Sequence, residues 1–103
     1  MSKRDETRER GDVVLAKSLG ARIRTLREAS GLEGTRLAES AGMKQAYLWR
    51  LESGRTIPSI RSLARIALAL DIPLTELLVD VDYSGIALEA RPYRSPNAKA
   101  DRT

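Results

Sequence analysis

The sequence predicts an all-α fold. Apolar residues recur at three- and four-residue spacing through the middle of the chain, the period of a helix with one buried face. Clusters of Gly, Ser and Pro cut that pattern into short lengths, as helix ends do. The chain is 42% hydrophobic but 4% aromatic, with no Phe, so the core is expected to be one small assembly of Leu, Ile, Val and Ala. The expected organisation is a flexible charged arm over residues 1–11, a helical domain over 12–80 and a partly disordered C-terminal extension over 81–103.

Residues 1–11 (MSKRDETRERG) are almost entirely charged or polar and offer no apolar face, which predicts a mobile arm, either solvated or reaching a polyanion. A first helix is expected to start after Asp12 as N-cap, with Leu15, Leu19, Ile23 and Leu26 forming one stripe. Ser30-Gly31 would end it, Gly31 taking a left-handed conformation. A short second helix is expected from Gly34 or Thr35 to Ser40, and a third from Lys44 to Glu52, with Leu48 and Leu51 inward and Ser53-Gly54 as the stop. Pro58-Ser59 opens a fourth, capped by Ser59 and burying Ile60, Leu63, Ile66, Ala67 and Leu70. Asp71-Ile72-Pro73 breaks the chain before a brief fifth helix from Thr75 to Val79. Beyond it, Val79, Val81 and Tyr83, then Ile86, Leu88 and Ala90, alternate with mostly small or polar residues around Ser84-Gly85. That period of two suggests a short hairpin, with a helical continuation as the rival.

Composition removes several function classes. The chain has no Cys and no His, so neither a disulfide framework nor a transition-metal site is expected, and a His-based general base or nucleophile triad is excluded. No catalytic constellation and no cofactor motif is present, so an enzyme is not expected. The longest apolar run, Ile66 to Leu70, is far short of the roughly 18 residues of a membrane span, and the expected location is the cytoplasm. Net charge is +4. Between Leu19 and Thr56 seven cations face four anions, so most of the excess lies in the middle of the chain, where it suits a polyanionic partner.

The second and third helices carry a helix-turn-helix pattern. Two short helices meeting at a steep angle need a small residue where they approach, supplied by Ala38, and a residue tolerant of positive φ at the turn, supplied by Gly42. Leu37, Ala41, Met43, Leu48 and Leu51 complete the inward set. From Leu19 to Asp80, roughly three-fifths of the chain, the strings LGARIRTLREASGL, LAESAGM, LWRLESGRTIPSI and LARIALALDIPLTELL resemble the Cro/phage-repressor type of helix-turn-helix domain, the XRE-like group.

That resemblance implies a five-helix, lambda-repressor-like domain, with the C-terminal hairpin or extension added to it. It also implies a third helix that enters the major groove of double-stranded DNA, and a homodimer. The residues left outward by Leu48 and Leu51 are Lys44, Gln45, Ala46, Trp49 and Arg50, the base-contacting set. Gln45 suits adenine, Arg50 or Lys44 suits guanine, and Ala46 or Trp49 suits a thymine methyl. Trp49 has a second reading, packing against another protein surface. Thr35, Arg36, Arg55 and Thr56 are the expected phosphate contacts, with Tyr47 either joining them or half-buried against the second helix. The resemblance pairs Arg27 with Glu52 as a structural ion pair, and Ile72, Leu74, Leu77 and Leu78 are the expected dimer interface. The chain departs from the pattern at Gly34, where Gln is usual, after Glu33, where Ser or Thr commonly caps. The expected function is a homodimeric repressor of bacterial or phage origin, associated with the nucleoid when bound. The alternative is an antitoxin or protein-interaction module with autoregulatory DNA binding, engaging a protein partner through its C-terminal extension.

Overall fold

The structure, a computed structural model, describes residues 3–88. It holds four α-helices, α1 (Lys3–Ala29), α2 (Gly34–Ser40), α3 (Gln45–Glu52) and α4 (Ile60–Leu70), followed by a 3-10 helix (Leu74–Leu78). The fifth element is therefore a tight 3-10 turn rather than an α-helix. Pro73 precedes it and Val79 returns to extended backbone, leaving five residues, a length at which i to i+3 bonding serves well.

Ile23, Leu37, Leu48, Leu51, Ile66 and Leu77 are the largest side chains withdrawn completely, one or two from each element. Burying each contributes about 1.5–3 kcal/mol, so these six outweigh any surface ion pair in the molecule. Around them pack Leu19, Ala38, Ala41, Leu63, Ala67 and Leu70, with Leu26, Leu32, Met43, Ile72, Leu74 and Val81 closing the edges. Ile60 departs from its expected inward place: it is 65% exposed. It stands in the first turn of α4, ahead of the point where Leu63 meets the core.

The helix boundaries follow local chemistry. Gly31 and Gly42 both take left-handed backbone, φ 71° and 66°. Ser59 caps α4 through its Oγ, which accepts from the backbone N–H of Ser62 at 3.1 Å. Asp71 ends the same helix at φ 56°.

α1 begins at Lys3, well before the expected start after Asp12. A charged stretch without an apolar face was read as an arm, yet Arg, Lys and Glu are good helix formers. Glu6 precedes Arg10 by one helical turn, a supporting spacing for opposite charges. Gly11 does not interrupt the helix. It is buried, and a Cβ there would collide with the carbonyl oxygen of Gly85. The first helix thus carries the returning chain on a surface without a side chain.

That returning segment is not a hairpin. Residues 81–88 form no strand. The backbone N–H of Asp82 donates to Ser18 Oγ on α1 at 2.8 Å. The Asp82 carboxylate accepts from Ser84 N–H at 3.0 Å and from Ser84 Oγ at 2.7 Å, and Ile86 N–H reaches Tyr83 O at 3.2 Å. These bonds, the Ser84 hydroxyl foremost, hold the Asp82 carboxyl below its ordinary range. Backbone groups that a hairpin would pair are spent on this turn and on α1. The alternation does not put its apolar residues on one side: Val81 is partly buried and Tyr83 exposed. The disorder expected further along the extension lies outside the described residues.

α1 packs closely against the end of α3 at Gly20. At Gly20 a Cβ would strike the carbonyl oxygen of Leu51 and lie 2.9 Å from that of Glu52. Gly20→Ala therefore forces backbone apart, and we expect a loss of about 1–3 kcal/mol in urea unfolding. An unchanged midpoint would show that the two helices do not approach so closely.

Candidate nucleic-acid interface

α2 and α3 take their relative position from buried small and apolar residues. Leu37, Ala38 and Ala41 face the core, and the turn closes with Gly42 N–H donating to Glu39 O at 3.2 Å and Met43 N–H to Ala38 O at 3.0 Å. Because Leu48 and Leu51 are wholly buried, the opposite side of α3 is committed to solvent. Gln45, Ala46, Trp49 and Arg50 are exposed on α3, and Lys44 is exposed just before it as the N-cap residue, so all five expected base-contacting residues are open to solvent. Thr35 and Arg36 are exposed in the first turn of α2, Arg55 is exposed after α3, and Thr56 is partly covered.

The pair that supports this surface is Arg27–Glu52. Arg27 Nε meets Glu52 Oε2 at 2.7 Å and NH2 meets Oε1 at 2.9 Å, a two-pronged contact. A third donor, NH1, reaches Leu32 O at 2.7 Å. The side chains are 13% and 11% exposed. The hydrogen bond that Arg27 donates to Glu52, with further attraction from that carboxylate, outweighs the opposing effect of burial and raises the Arg27 pKa above its ordinary value. Arg24–Glu28, by contrast, is 63% and 56% exposed and contributes little. Since Glu52 is the sole carboxylate in α3, its neutralisation by Arg27 leaves the Arg50 charge uncompensated within that helix.

Two aromatic rings order the cations. Arg50 lies over the Tyr47 ring at 5.6 Å from its centroid, and Arg55 over the Trp49 ring at 4.7 Å. Tyr47 is half-buried and its hydroxyl is 3.2 Å from Ser62 Oγ, so the ring is tied to α4. Its packing partner includes the fourth helix, and its hydroxyl already has one hydrogen-bond partner. Ser62 was not singled out from sequence; the signal available was its spacing of three from the capping Ser59. Nor was the Trp49–Arg55 pairing, which needs the chain to turn back at Ser53-Gly54. Beside Trp49 lies a cleft of about 120 Å³ lined by Gly34, Gln45, Trp49, Leu48, Arg27 and Glu52. A Cβ at Gly34 would meet nothing there within 4 Å.

The expected dimer set is only partly a surface. Leu77 is 0% exposed and belongs to the core, so it has no area to offer a partner. In the 3-10 helix it stands one turn after Leu74, which also packs against the core. Leu78 is 45% exposed, and Ile72 and Leu74 are partly buried against the core.

A cation-bearing second helix set after a tight turn at Gly42 has the form of a helix-turn-helix domain. Comparison with known proteins agrees: the helix-turn-helix domain family matches residues 18–78. The chain belongs to that family, in its Cro/phage-repressor (XRE-like) form, whose members are DNA-binding transcriptional regulators. It is 39% identical over 61 residues to the ImmF control region 10 kDa protein of Bacillus phage phi105, covering 59% of this chain and 68% of that one. It is 35% identical over 81 residues to the HTH-type transcriptional repressor RghR of Bacillus subtilis, covering 77% of this chain and 60% of that one. In structure it is similar to the restriction-modification controller protein C.AhdI of Aeromonas hydrophila, with a TM-score of 0.58 and 36% identity over 64% of this chain and 96% of that one.

Removing Glu52 leaves Arg27 largely buried without its counter-charge. Glu52→Ala is expected to destabilise the fold by on the order of 3 kcal/mol in chemical denaturation. Arg27→Lys should rescue little, because one ammonium cannot make the two-pronged contact and also reach Leu32 O. Near-native stability of either variant would remove the pair from its supporting role.

Proposed function

We propose that the chain is a homodimeric repressor that reads a two-fold operator through α3. The observation that carries this reading is the joint exposure of Gln45, Ala46 and Arg50 on α3, whose Leu48 and Leu51 are buried, together with Lys44 exposed at its N-cap. Gln45 has the donor and acceptor needed for the major-groove edge of adenine, Arg50 and Lys44 the donors for guanine, and Ala46 a methyl for thymine. Thr35, Arg36, Arg55 and Thr56 flank that surface and suit phosphate oxygens, which fix register without reading sequence. Tyr47 joins them through a hydroxyl that keeps one bonding position beyond Ser62.

The dimer would form around the 3-10 helix, where Leu78 and Val79 are 45% and 42% exposed beside Ile72 and Leu74. Two copies related by a two-fold axis would set their α3 helices about 34 Å apart, one turn of duplex. Repression then follows from occupancy, the bound dimer excluding polymerase from the operator. Among the described residues no helix is long and apolar enough to cross a membrane, which fits action in the cytoplasm.

Selection of bound duplexes from a random pool at fixed salt tests this reading. A consensus of two inverted half-sites one turn apart is expected, and failure to enrich any sequence would overturn it. Gln45→Ala should cost about 1–3 kcal/mol of affinity and relax preference at one position. Arg36→Ala should instead weaken all sequences alike and flatten the salt dependence by about one phosphate contact. For the interface, Leu78→Asp should give a monomer in sedimentation with the helical content of the parent. A dimer that survives it would place the interface elsewhere.

A further inference from the structure

We propose that Trp49 is a positioning residue: its indole is a shelf that holds the Arg55 guanidinium toward a DNA phosphate, and it is not itself a reader of bases. The inference rests on the operator-binding reading above.

Arg55 stands just past Gly54, whose φ of 73° turns the chain back from α3. Its backbone is fixed, the N–H donating to Arg50 O at 2.9 Å. Its side chain is not fixed by a hydrogen bond or carboxylate among the described residues, and a long exposed arginine samples many rotamers. The indole supplies the missing constraint, with the guanidinium carbon 4.7 Å from the ring centroid. Stacking uses only the flat face of the guanidinium. Its N–H donors lie in the plane and stay available to phosphate oxygens, so the contact orients the cation without consuming it.

The same geometry argues against Trp49 as a base contact. The indole is 56% exposed, but the ring carries Arg55 on one face, and that face cannot also meet a thymine methyl. The large aromatic at an outward position is then explained without a second protein. It also separates this pair from the Arg50–Tyr47 pair, where the ring is tied to Ser62 and the cation sits further away, at 5.6 Å.

The chain has one Trp, so its fluorescence reads the shelf directly. In the free protein, Arg55→Ala should change the emission intensity or maximum. Unaltered emission would show that no cation rests on the ring and would overturn the proposal, whatever happens on DNA. On a selected operator duplex, Trp49→Ala should weaken binding about three- to fivefold at every base substitution alike, with Trp49→Phe restoring part of it. Arg55→Ala should reduce the salt slope by about 0.9, and adding Trp49→Ala to it should cost nothing further. If Trp49→Ala shifts the preferred base at one position, or its loss adds in full to that of Arg55→Ala, Trp49 is a reader and the proposal fails while operator binding stands. If the parent protein binds no duplex at any salt, it is the operator reading that fails, and the Arg55 readout on DNA fails with it. Circular dichroism confirms that each variant is folded.

Discussion

The outward surface of α3 is only as well placed as the end of that helix is held. The closest backbone approach in the site joins Gly20 of α1 to the carbonyls of Leu51 and Glu52. Close approach alone does not fix rotation about the α3 axis. Buried Leu48 and Leu51 do that, and Arg27 adds to them by gripping both carboxylate oxygens of Glu52 while its third contact, to Leu32 O, ties in the linker that leads to α2. One guanidinium therefore links α1, the approach to α2 and the end of α3. A charge placed so deep costs desolvation, and the pair is weak evidence for net stability. Six buried apolar side chains hold the domain together and set which side of α3 faces inward, and the ion pair ties the end of that helix to α1.

A second consequence is electrostatic. Pairing the carboxylate of α3 with Arg27 leaves Arg50 as the helix's other charge, and aromatic rings lie under it and under Arg55 just past the helix. Tyr47, tied to α4, lies under Arg50, and Trp49 lies under Arg55. Cations that face solvent usually lose orientation to rotamer entropy, and an adjacent ring reduces that loss without satisfying the charge. The elements that support α3 from behind thus also reach its front: Ser62 through Tyr47, and the Ser53-Gly54 turn through Arg55.

The core of this arrangement was legible from sequence because it rests on local rules. Helical spacing placed Leu19, Ile23, Leu37, Leu48, Leu51 and Leu63, Gly42 marked the turn, and Ser59 marked a cap. The outward set on α3 followed from the inward one. What escaped was settled by tertiary contact. The charged stretch before Asp12 carries no apolar stripe, so nothing local shows that it continues α1 or that Gly11 receives Gly85. Alternation after Val79 looks the same for a strand and for a segment draped over a helix, and the bond from Asp82 to Ser18 spans 64 residues. Leu77 and Leu78 are adjacent and equally apolar, and only packing against the rest of the domain shows that the first is in the core. Trp49 and Arg55 were both singled out, but their stacking depends on a turn whose geometry a residue count does not supply.

The family match ends at residues 18 and 78, and the described chain continues on both sides. Those two additions meet: the N-terminal half of α1 receives the segment after the 3-10 helix at Gly11, and at Ser18 the match boundary itself is bonded to Asp82. Arg22 adds a bond to the 3-10 helix, its Nε reaching Glu76 O at 2.9 Å and its NH2 the Glu76 carboxylate at 3.2 Å. All three anchors are on α1, and none uses a residue assigned to DNA. The additions therefore lengthen the scaffold from the side that also carries Gly20 and Arg27, so α1 couples the two ends of the described chain to the seating of α3. A substitution in the returning segment has a physical route to α3 through α1, although it touches no part of the surface proposed to meet DNA.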